Sequence, residues 1–274
     1  MTSISLFGGT GFIGSAFARY SINKVDVVER NNPNPLYPEI VYAIGTTDNY
    51  NVFENPYLDI ESNLIRLIAD LELLKRKFGR FSFNYLSSWF VYGDACRPPF
   101  VETQKCEPKG FYSISKLSAE MFIRSYCDTF NIDYRILRLA NVFGPNDKGV
   151  SKKKNALQYL INEIRANRDV QVYEGGNFLR DYIDVRDVVQ AIDLIIADLP
   201  PGETINIGTG EPSKFLDLLE RAKIEFSSRS QLIPIPTPDF HKKVQVKDAF
   251  MDTSKLKKLG FVSRYHVLDE IINL

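Results

Sequence analysis

The sequence predicts an α/β protein built on a doubly wound parallel sheet, and two observations carry this prediction. Short apolar segments alternate with segments of helical spacing along most of the chain, which is the pattern of parallel βαβ units. A glycine-rich turn, GGTGFIG at 8–14, joins the first apolar segment to the first helix. With 274 residues, the chain is long enough for one or two domains and for a core without disulfide bonds.

The predicted strands are apolar segments bounded by polar or proline-rich turns. They lie at 3–7, 24–29, 39–45, 81–86, 134–139 and 170–173. A helix is expected directly after the glycine turn, and further helices are expected at 62–77, 112–130, 155–167 and 185–198.

Composition excludes several classes of protein. The 34 basic and 34 acidic residues balance, which argues against a general nucleic-acid binder. The three cysteines form no C-x-x-C pair, and with two histidines they indicate neither a disulfide framework nor a metal site. No apolar run reaches the roughly 18 residues of a membrane span. Because the first strand begins at about Ser3, no signal peptide is expected, and a cytoplasmic location is predicted.

The glycine turn is typical of a dinucleotide-binding site of the Rossmann type. Gly8 permits the tight turn, Gly11 lets the backbone approach a pyrophosphate, and Gly14 allows close packing of helix and sheet. The helix N-terminus then faces the negative charge of the phosphates. We also expect Phe12 and Ile13, within the same turn, to contact the cofactor.

The end of the second predicted strand bears on the choice of cofactor. Glu29 lies 21 residues after Gly8, where an acidic residue binds the ribose hydroxyls of NAD. The adjacent Arg30 leaves NADP open, because an arginine there can hold the 2′-phosphate. The cofactor is therefore predicted to be NAD or NADP, with Glu29 slightly favouring NAD.

A tyrosine and a lysine in the segment YSISK indicate acid–base chemistry. Tyr112 and Lys116 are four residues apart and hence share one face of a helix. A nearby ammonium and a cationic nicotinamide favour the phenolate and lower the pKa of Tyr112. The phenol could then move a proton to or from a sugar or alcohol oxygen. The preceding strand ends in Ser87 and Ser88, which strengthens this interpretation.

These motifs together resemble the extended short-chain dehydrogenase/reductases, the NAD-dependent epimerase/dehydratase family acting on nucleotide sugars. The resemblance covers most of the chain and lies in GGTGFIG, LSSWFVYGD, YSISK, RLANVFGP, RDYIDVRDV, NIGTG and DTSKLKKLGF. It implies that Ser88 is the catalytic Ser/Thr, that Asn141 contacts the sugar-nucleotide phosphate and that Arg180 binds the pyrophosphate. Asn63 matches a helical asparagine near the active site.

The resemblance also implies a mechanism. Hydride passes to or from the nicotinamide, Tyr112 acts as general acid and base, Ser88 orients the same substrate oxygen, and Lys116 binds the nicotinamide ribose. The implied partner is a nucleotide-diphosphate sugar. Family members often form homodimers through a four-helix bundle, for which the helices at 62–77 and 112–130 are the candidates here.

Two departures from the family pattern narrow the expected reaction. Trp89 and Phe90 follow Ser88 where dehydratases have acidic residues, so dehydration is not expected and redox chemistry at sugar carbon 4 remains. Only ten residues separate Glu29 from Ile40, so the sheet should lack one edge βα unit and leave the adenine site open. An open site favours cofactor exchange, and hence a 4-ketoreductase of a nucleotide-linked 4-keto-(6-deoxy)hexose.

Several alternatives stay open from the sequence. A 4-epimerase with retained NAD uses the same residues, and Trp89 and Phe90 would contact its substrate as well. Reduction of a small non-sugar carbonyl fits Arg180 and Asn141 poorly, because such substrates carry no pyrophosphate. A dinucleotide-sensing protein without turnover would not require the serine, tyrosine and lysine. Lys152, Lys153 and Lys154 are expected in a solvated loop, and Cys96 and Cys106 are expected to be inert.

The domain organisation follows from where the alternation becomes irregular. After Gly144 and Pro145 the pattern weakens, and prolines cluster at 234, 236 and 238. We therefore predict a dinucleotide-binding domain of residues 1–147 plus 181–203. Residues 148–180 plus 204–274 would form a smaller lobe that binds the substrate.

Overall fold

The computed structural model describes residues 1–47, 49–94, 97–147, 151 and 155–274. Its strands are β1 (Ser3–Phe7), β2 (Lys24–Val28), β3 (Glu39–Tyr42), β4 (Ser82–Ser88), β5 (Asp133–Leu139), β6 (Asn141–Phe143), β7 (Val170–Tyr173), β8 (Leu179–Asp184), β9 (Glu203–Ile207), β10 (Pro212–Lys214) and β11 (Leu232–Ile235). The α-helices are α1 (Phe12–Tyr20), α2 (Asn51–Glu54), α3 (Tyr57–Ile60), α4 (Arg66–Phe78), α5 (Phe111–Phe130), α6 (Ala156–Arg165), α7 (Val185–Asp198), α8 (Phe215–Glu225), α9 (Asp239–Val244), α10 (Ser254–Lys258) and α11 (Val267–Glu270).

The central sheet is parallel, as the alternation of strands and helices predicts. Among the described residues it has six strands in the order β2-β1-β3-β4-β5-β9. Neighbouring strands pair in parallel throughout. In β4 every residue after the first is buried, because helices cover both faces of an inner parallel strand. The predicted α/β class with a doubly wound parallel sheet is confirmed.

One edge of the central sheet is formed by β2. Its one strand neighbour among the described residues is β1, and the segment 29–38 leads directly to β3 on the other side of β1. The prediction that a βα unit is missing at this edge is therefore confirmed. Val27 of β2 remains 43% exposed, and Glu29 and Arg30 are exposed at its end.

Helices cover both faces of the central sheet and bury one apolar cluster on each. On one face α1 and α7 pack against the strands, with Phe17 and Ile192 fully buried. On the other face α4 and α5 contribute Leu71 and Ile123. Since burial of apolar side chains is the main favourable term in folding, these two clusters hold the helices against the sheet. No helix of the described residues has both the length and the apolarity to cross a bilayer.

The remaining elements form a smaller lobe around a third apolar cluster, in which α6 packs against α8. Here β6, β8 and β10 form a small sheet, and β7 pairs with β11. The boundary predicted between residues 203 and 204 does not agree with the sheet, because β9 pairs with β5 in the central sheet. The division into two domains stays a prediction, with β9 in the larger one.

Candidate active site

A cavity of about 760 Å³ opens at the carboxyl ends of the central strands. Its wall comprises the turn after β1, the loop after β3, the end of β4 and the segment after β5, and it continues into the smaller lobe. Ligands of open α/β sheets bind in such a crevice. We call it the central cavity; its lining includes Phe12, Ile13, Thr47, Ser88, Trp89, Phe90, Tyr112, Asn141, Tyr173, Arg180 and His241.

The glycine turn is so tight that a side chain at Gly8 or Gly14 would collide with backbone atoms, and one at Gly9 would collide with the side chain of Val27. Gly8 has a φ of +85°, and a Cβ there would lie 2.7 Å from the backbone carbon of Ala43. A Cβ at Gly14 would lie 2.2 Å from the carbonyl oxygen of Gly8. At Gly11 the backbone is unstrained and a Cβ would make only an ordinary contact at 3.4 Å. Gly11 is thus the glycine that local packing does not require.

The N-terminus of α1 meets this turn without a side-chain cap from any described residue. The backbone N–H groups of its first turn are therefore left for an anion, which the helix dipole also favours. Phe12 and Ile13 of this turn line the central cavity, and their contact with a cofactor stays a prediction. The turn consequently fits the pyrophosphate of a dinucleotide.

At the other end of this site, Glu29 and Arg30 follow β2 in an exposed position. The Arg30 carbonyl accepts a hydrogen bond from Nη1 of Arg66 at 3.2 Å, which fixes the backbone there. This arrangement fits an adenosine ribose lying along the sheet edge, in a place open to solvent.

Ser88 and Tyr112 both line the wall of the central cavity. Ser88 ends β4, and its Oγ accepts a hydrogen bond from the N–H of Phe90 at 3.3 Å. The hydroxyl hydrogen of Ser88 is therefore available to a ligand oxygen. Tyr112 lies in the first turn of α5 and is 7% exposed.

Lys116 lies one helical turn behind Tyr112 and is buried rather than lining the central cavity. Its Nζ donates a hydrogen bond to the carbonyl oxygen of Leu86 at 2.6 Å and lies 4.3 Å from the ring centroid of Tyr85. Burial lowers the pKa of the Lys116 ammonium to about 7, and the carboxylate of Glu120 acts in the opposite direction. The side chain of Lys116 therefore changes between its charged and neutral forms near pH 7, one helical turn from the phenol of Tyr112.

A buried ion pair between Glu120 and Arg138, which was not predicted from the sequence, stabilises the position of α5. Glu120 accepts hydrogen bonds from Nη2 of Arg138 at 2.7 Å and from Oγ of Ser87 at 2.6 Å. The pair ties α5 to β4 and β5. Its signal in the sequence is the spacing of Tyr112, Lys116 and Glu120, which repeats every four residues along one helix face.

Asn63 is buried where a single π-helical turn, Glu61–Ile65, precedes α4. Its Nδ2 donates to Oγ of Ser115 at 2.8 Å and to Oγ1 of Thr46 at 2.8 Å, and its Oδ1 accepts from the N–H of Thr46 at 2.9 Å. The asparagine therefore links the loop after β3 to the helix that carries Tyr112. π-helical turns are frequent at functional sites.

Trp89 and Phe90 form one continuous aromatic surface in the cavity wall. Their rings stack with centroids 3.9 Å apart, and the rings of Phe90 and Tyr112 meet edge to face with centroids 5.9 Å apart. The indole Nε1 of Trp89 donates to Oδ1 of Asn141 at 3.3 Å. Since Nδ2 of Asn141 donates to the carbonyl oxygen of Asp181 at 3.0 Å, the amide is engaged at both ends.

Arg180 lines the same cavity on β8. Its guanidinium donates to the backbone carbonyls of Leu179 at 2.8 Å and Val246 at 3.0 Å, and it forms no ion pair with any described carboxylate. Its neighbour Asp181 instead accepts hydrogen bonds from Oγ1 of Thr209 at 2.6 Å and from the N–H of Gly210 at 3.0 Å. Arg180 thus brings a positive charge to the cavity wall, on which the carboxylate of Asp248 acts without forming an ion pair with it.

An aromatic cluster at the outer part of the central cavity was not predicted. The ring of His241 lies 5.5 Å from that of Tyr50 and 5.1 Å from that of Tyr173, centroid to centroid. Burial and the charge of Arg180 lower the pKa of His241. These residues are far apart in the sequence and belong to no motif, so only the folded chain brings them together.

Some predicted residues lie outside the described part of the chain. These are Cys96, Lys152, Lys153 and Lys154. Cys106 is half-buried and packs against the apolar cluster on the α1 and α7 side of the sheet.

The fold and the residues of the central cavity together indicate one class of protein, and a comparison with protein families gives the same class. The model of the NAD dependent epimerase/dehydratase family matches residues 36–208, more than half of the chain. The chain belongs to this family, whose members are NAD-dependent nucleotide-sugar enzymes of the short-chain dehydrogenase/reductase superfamily. The predicted resemblance and the predicted enzyme class are thereby confirmed.

Individual relatives differ in the reaction that their names describe. The chain is 28% identical to a putative UDP-glucose 4-epimerase of Methanocaldococcus jannaschii, over 94% of this chain and 92% of that protein. It is 25% identical to a GDP-6-deoxy-D-mannose reductase of Pseudomonas aeruginosa, over 78% and 76%. The solved UDP-glucose 4-epimerase of Thermotoga maritima, with UDP-glucose, has a TM-score of 0.85 at 22% identity and covers 98% of this chain, as this chain covers 96% of it.

Proposed function

We propose that this chain is a nucleotide-sugar 4-ketoreductase. The observation that carries the proposal is a contrast: the reacting residues Ser88 and Tyr112 are buried in the wall of the central cavity, whereas the adenosine end of the cofactor site lies at the exposed edge strand β2. A reductase must exchange its cofactor at every turnover, and an open edge favours that exchange. The acidic residues that dehydration needs are replaced by Trp89 and Phe90, which cannot transfer protons.

When bound, the nicotinamide cofactor supplies a hydride to carbon 4 of the sugar. Ser88 donates its hydroxyl hydrogen to the carbonyl oxygen at that carbon and so orients it. Tyr112 gives its phenolic proton to the same oxygen as the new C–H bond forms, which converts the ketone to an alcohol. The sugar is reduced, the cofactor is oxidised, and a solvent proton restores the phenol.

Lys116 affects this proton transfer through its charge. A positive charge one helical turn from Tyr112 favours the phenolate that remains after the transfer. Burial has already brought the pKa of Lys116 to about 7, so the lysine changes charge near neutrality. We infer that the ribose of the bound nicotinamide contacts Lys116 next to Gly45, where the backbone is close to Nζ: a Cβ at Gly45 would lie 3.4 Å from Nζ and 3.0 Å from Oδ1 of Asn63.

The rest of the central cavity is suited to a nucleotide diphosphate. Arg180 has no carboxylate partner among the described residues, and it faces the cavity beside Trp89. A guanidinium is well matched to phosphate oxygens. We therefore assign Arg180 to the pyrophosphate of the substrate, and the continuation of the cavity toward Tyr173 to the nucleoside.

For the cofactor we propose NAD, with Glu29 binding the ribose hydroxyls. Glu29 follows β2 directly and is exposed on the side of the glycine turn, because β2 pairs with β1 in register up to Phe7 and Val28. Arg30 beside it makes NADP the alternative.

A second candidate function is nucleotide-sugar 4-epimerisation with retained NAD. The names of the relatives in Methanocaldococcus jannaschii and Thermotoga maritima favour it. Tyr112 would take the proton of the C4 hydroxyl as the hydride of carbon 4 passes to NAD, and would return it to the same oxygen as the hydride is delivered to the opposite face of carbon 4; Ser88 would orient that oxygen in both steps.

Purified protein distinguishes the two candidates. We expect native mass spectrometry to find little bound dinucleotide, and we expect added NADH or NADPH to be consumed with a nucleotide-linked 4-keto sugar. Stoichiometric retained NAD, with interconversion of two C4 epimers and no use of added cofactor, would instead support the epimerase.

We also propose a homodimer formed through α4 and α5. Side chains that face solvent on these helices include Ile68, Met121 and Phe122, which are 40%, 64% and 47% exposed. A shallow apolar cleft between the helices is lined by Ile68, Phe122 and Phe130, among others. Sedimentation should give a dimer, and Met121→Asp should shift it to the monomer because a charge would be buried between two copies; a monomeric wild type would refute the proposal.

A further inference from the structure

The proposed reaction does not involve Glu120, a buried carboxylate on the helix that carries Tyr112 and Lys116. Glu120 is 1% exposed and follows Lys116 by four residues, as Lys116 follows Tyr112. The three side chains therefore share one face of α5. Burying a carboxylate is costly unless its partners compensate for the lost water, so these partners indicate what the residue does.

The carboxylate of Glu120 is held by groups from two neighbouring strands. From β5, Nε and Nη2 of Arg138 donate to its two oxygens at 3.0 and 2.7 Å. From β4, Oγ of Ser87 donates to Oε1 at 2.6 Å. Because Arg138 is itself only 4% exposed, both charges of the pair are shielded from water. A contact of a guanidinium with both oxygens fixes the carboxylate in place as an anion.

The ammonium of Lys116 has no other anion to stabilise it among the groups that it contacts in the described part of the chain. Its Nζ donates to the carbonyl oxygen of Leu86 and lies over the ring of Tyr85, and neither group carries a negative charge. Burial keeps the phenol of Tyr85 protonated, because it raises the pKa of that group well above its ordinary value. The carboxylate of Glu120 acts on Lys116 and favours its protonated form, against the effect of burial.

The other charged groups around this helix face do not replace Glu120. On α5 itself, Nη2 of Arg124 lies 4.0 Å from Oε2 of Glu120, and it is a cation. On α3, which also packs against α5, the carboxylate of Asp59 accepts hydrogen bonds from Thr46 and Asn51. A carboxylate engaged in this way serves the loop after β3, so the fixed negative charge that acts on the ammonium is that of Glu120.

We propose that Glu120 is a positioning residue for the reaction at carbon 4: its anchored carboxylate keeps Lys116 positively charged beside Tyr112 at neutral pH. The inference rests on the proposed function, in which the charge of Lys116 favours the phenolate that remains after proton transfer. Glu120 does not line the central cavity, so it acts through Lys116 and not by touching the substrate.

A titration of Lys116 that needs no turnover tests the inference first. The whole chain is labelled with ¹³C at the ε carbon of its lysines, and the resonance of Lys116 is identified by its loss in Lys116→Met. In Glu120→Gln we expect this resonance to titrate about one pH unit lower than in the wild type, as expected when a nearby opposite charge is removed. An unchanged titration midpoint would overturn the inference.

The pH profile of kcat connects this charge to the reaction. With a nucleotide-linked 4-keto sugar and NADH or NADPH, kcat should fall on the alkaline side as Lys116 loses its proton, because the phenolate of Tyr112 is then less favoured. In Glu120→Gln this fall should begin about one pH unit lower. KM for the sugar should change little, since Glu120 is not part of the cavity wall.

Further variants separate the effect of charge from that of packing. Glu120→Asp keeps the carboxylate, and Lys116 should titrate in it close to the wild type. Asp70→Asn is the matched control, because Asp70 is 2% exposed and forms another buried ion pair, with Nε of Arg66 at 2.8 Å. It should lower the thermal midpoint and leave both pH dependences unchanged. Should Glu120→Gln fail to fold with Arg138 unpaired, the addition of Arg138→Met removes both charges, and Lys116 should still titrate lower than in the wild type.

The two readouts separate this inference from the proposed function. A lower titration midpoint of Lys116 in Glu120→Gln, combined with an unmoved pH profile of kcat, would overturn the role of Glu120 in the reaction. Equal changes in Asp70→Asn would also overturn it, because general loosening of the fold would then account for them. A lower midpoint combined with no reduction of 4-keto sugars by the wild type contradicts the proposed function and leaves the action of Glu120 on Lys116 standing.

Discussion

The two ends of the proposed cofactor site are built very differently. At the reacting end, Tyr112 is 7% exposed and Lys116 is 4% exposed, and the helix that carries them is tied to the sheet by the buried pair of Glu120 and Arg138. At the adenosine end, Glu29 and Arg30 are exposed beyond the edge strand. Close packing is therefore found around the residues assigned to proton transfer, and the residues assigned to the adenosine are exposed.

This difference suggests how the two ends contribute to function. A reacting end fixed by packing keeps Tyr112 and Ser88 in a geometry suited to reaction, which is where pre-organisation has its largest effect. An adenosine end without the additional βα unit offers fewer contacts to the cofactor. We therefore expect substitutions at the reacting end to change kcat, and substitutions at the open end to change cofactor affinity by smaller factors.

The largest effect is expected from Tyr112→Phe. A general acid contributes about 10²- to 10⁴-fold to a rate, so kcat for the C4 reaction should fall by that factor when the phenol is lost. The Kd for the cofactor should stay nearly the same. Steady-state kinetics and a fluorescence titration measure the two quantities. Tyr126→Phe is the matched control on the same helix, because its hydroxyl donates to Glu72 outside the central cavity; retained activity in Tyr112→Phe would remove the phenol from the mechanism.

Gly11→Ala should weaken cofactor binding without destabilising the fold. The backbone at Gly11 suits alanine, and the new Cβ meets only an ordinary contact at 3.4 Å. A methyl group pressed against a pyrophosphate should raise the cofactor Kd about 10- to 100-fold, as expected from the roughly 1–3 kcal/mol of an overpacked contact. Calorimetric titration measures this change.

Gly14→Ala is the contrasting variant, because its Cβ would lie 2.2 Å from a backbone oxygen. It should lower the thermal midpoint as well as the affinity. If Gly11→Ala bound cofactor like the wild type, the glycine turn would not hold the pyrophosphate.

Lys116→Met should change how stability depends on pH. The pKa of Lys116 is lowered to about 7 in the folded protein, against about 10.4 for an unperturbed lysine. Between these values the unfolded chain binds the extra proton, so this group makes stability rise as the pH rises from about 7 to 10.

Urea unfolding at pH 7 and pH 9.5 measures this effect as the difference between the wild type and Lys116→Met. The variant should lack that part of the increase. An identical pH dependence in both proteins would mean that Lys116 titrates in the folded state as it does in water.

The smallest effect is expected from Glu29→Gln. Because Glu29 is exposed, the loss of its hydrogen bonds to ribose should cost about 0.5–1.5 kcal/mol, which raises the Kd of NADH about two- to tenfold. The Kd of NADPH should fall or stay the same, since a negative charge near the 2′-phosphate is removed. No change for either cofactor would exclude Glu29 from the site.

The features that depend on local sequence, namely the positions of helices and strands and the glycine turn, are predicted well. Periodicity places α7 at 185–198 and β7 at 170–173, where the structure has them, and the glycine turn identifies the strand–turn–helix unit around Gly8. The pairing of Trp89 with Asn141 could not be predicted, because these residues are 52 positions apart and nothing in either motif indicates a hydrogen bond between them.

The short strands of the smaller lobe were also missed. β6 and β10 have three residues each, too few for periodicity to indicate, and both pair with β8 only once the chain has folded. The position of β9 in the central sheet depends on its pairing with β5, which local sequence does not record.

Transfer of a label from added cofactor tests the central claim most directly. Wild-type protein is mixed with a nucleotide-linked 4-keto-6-deoxyhexose and with NADH or NADPH that carries deuterium at the transferable position. The account predicts one deuterium at carbon 4 of the sugar for each cofactor oxidised, observed by NMR, and none with Tyr112→Phe. Turnover of nucleotide sugars without any label from the added cofactor would contradict it.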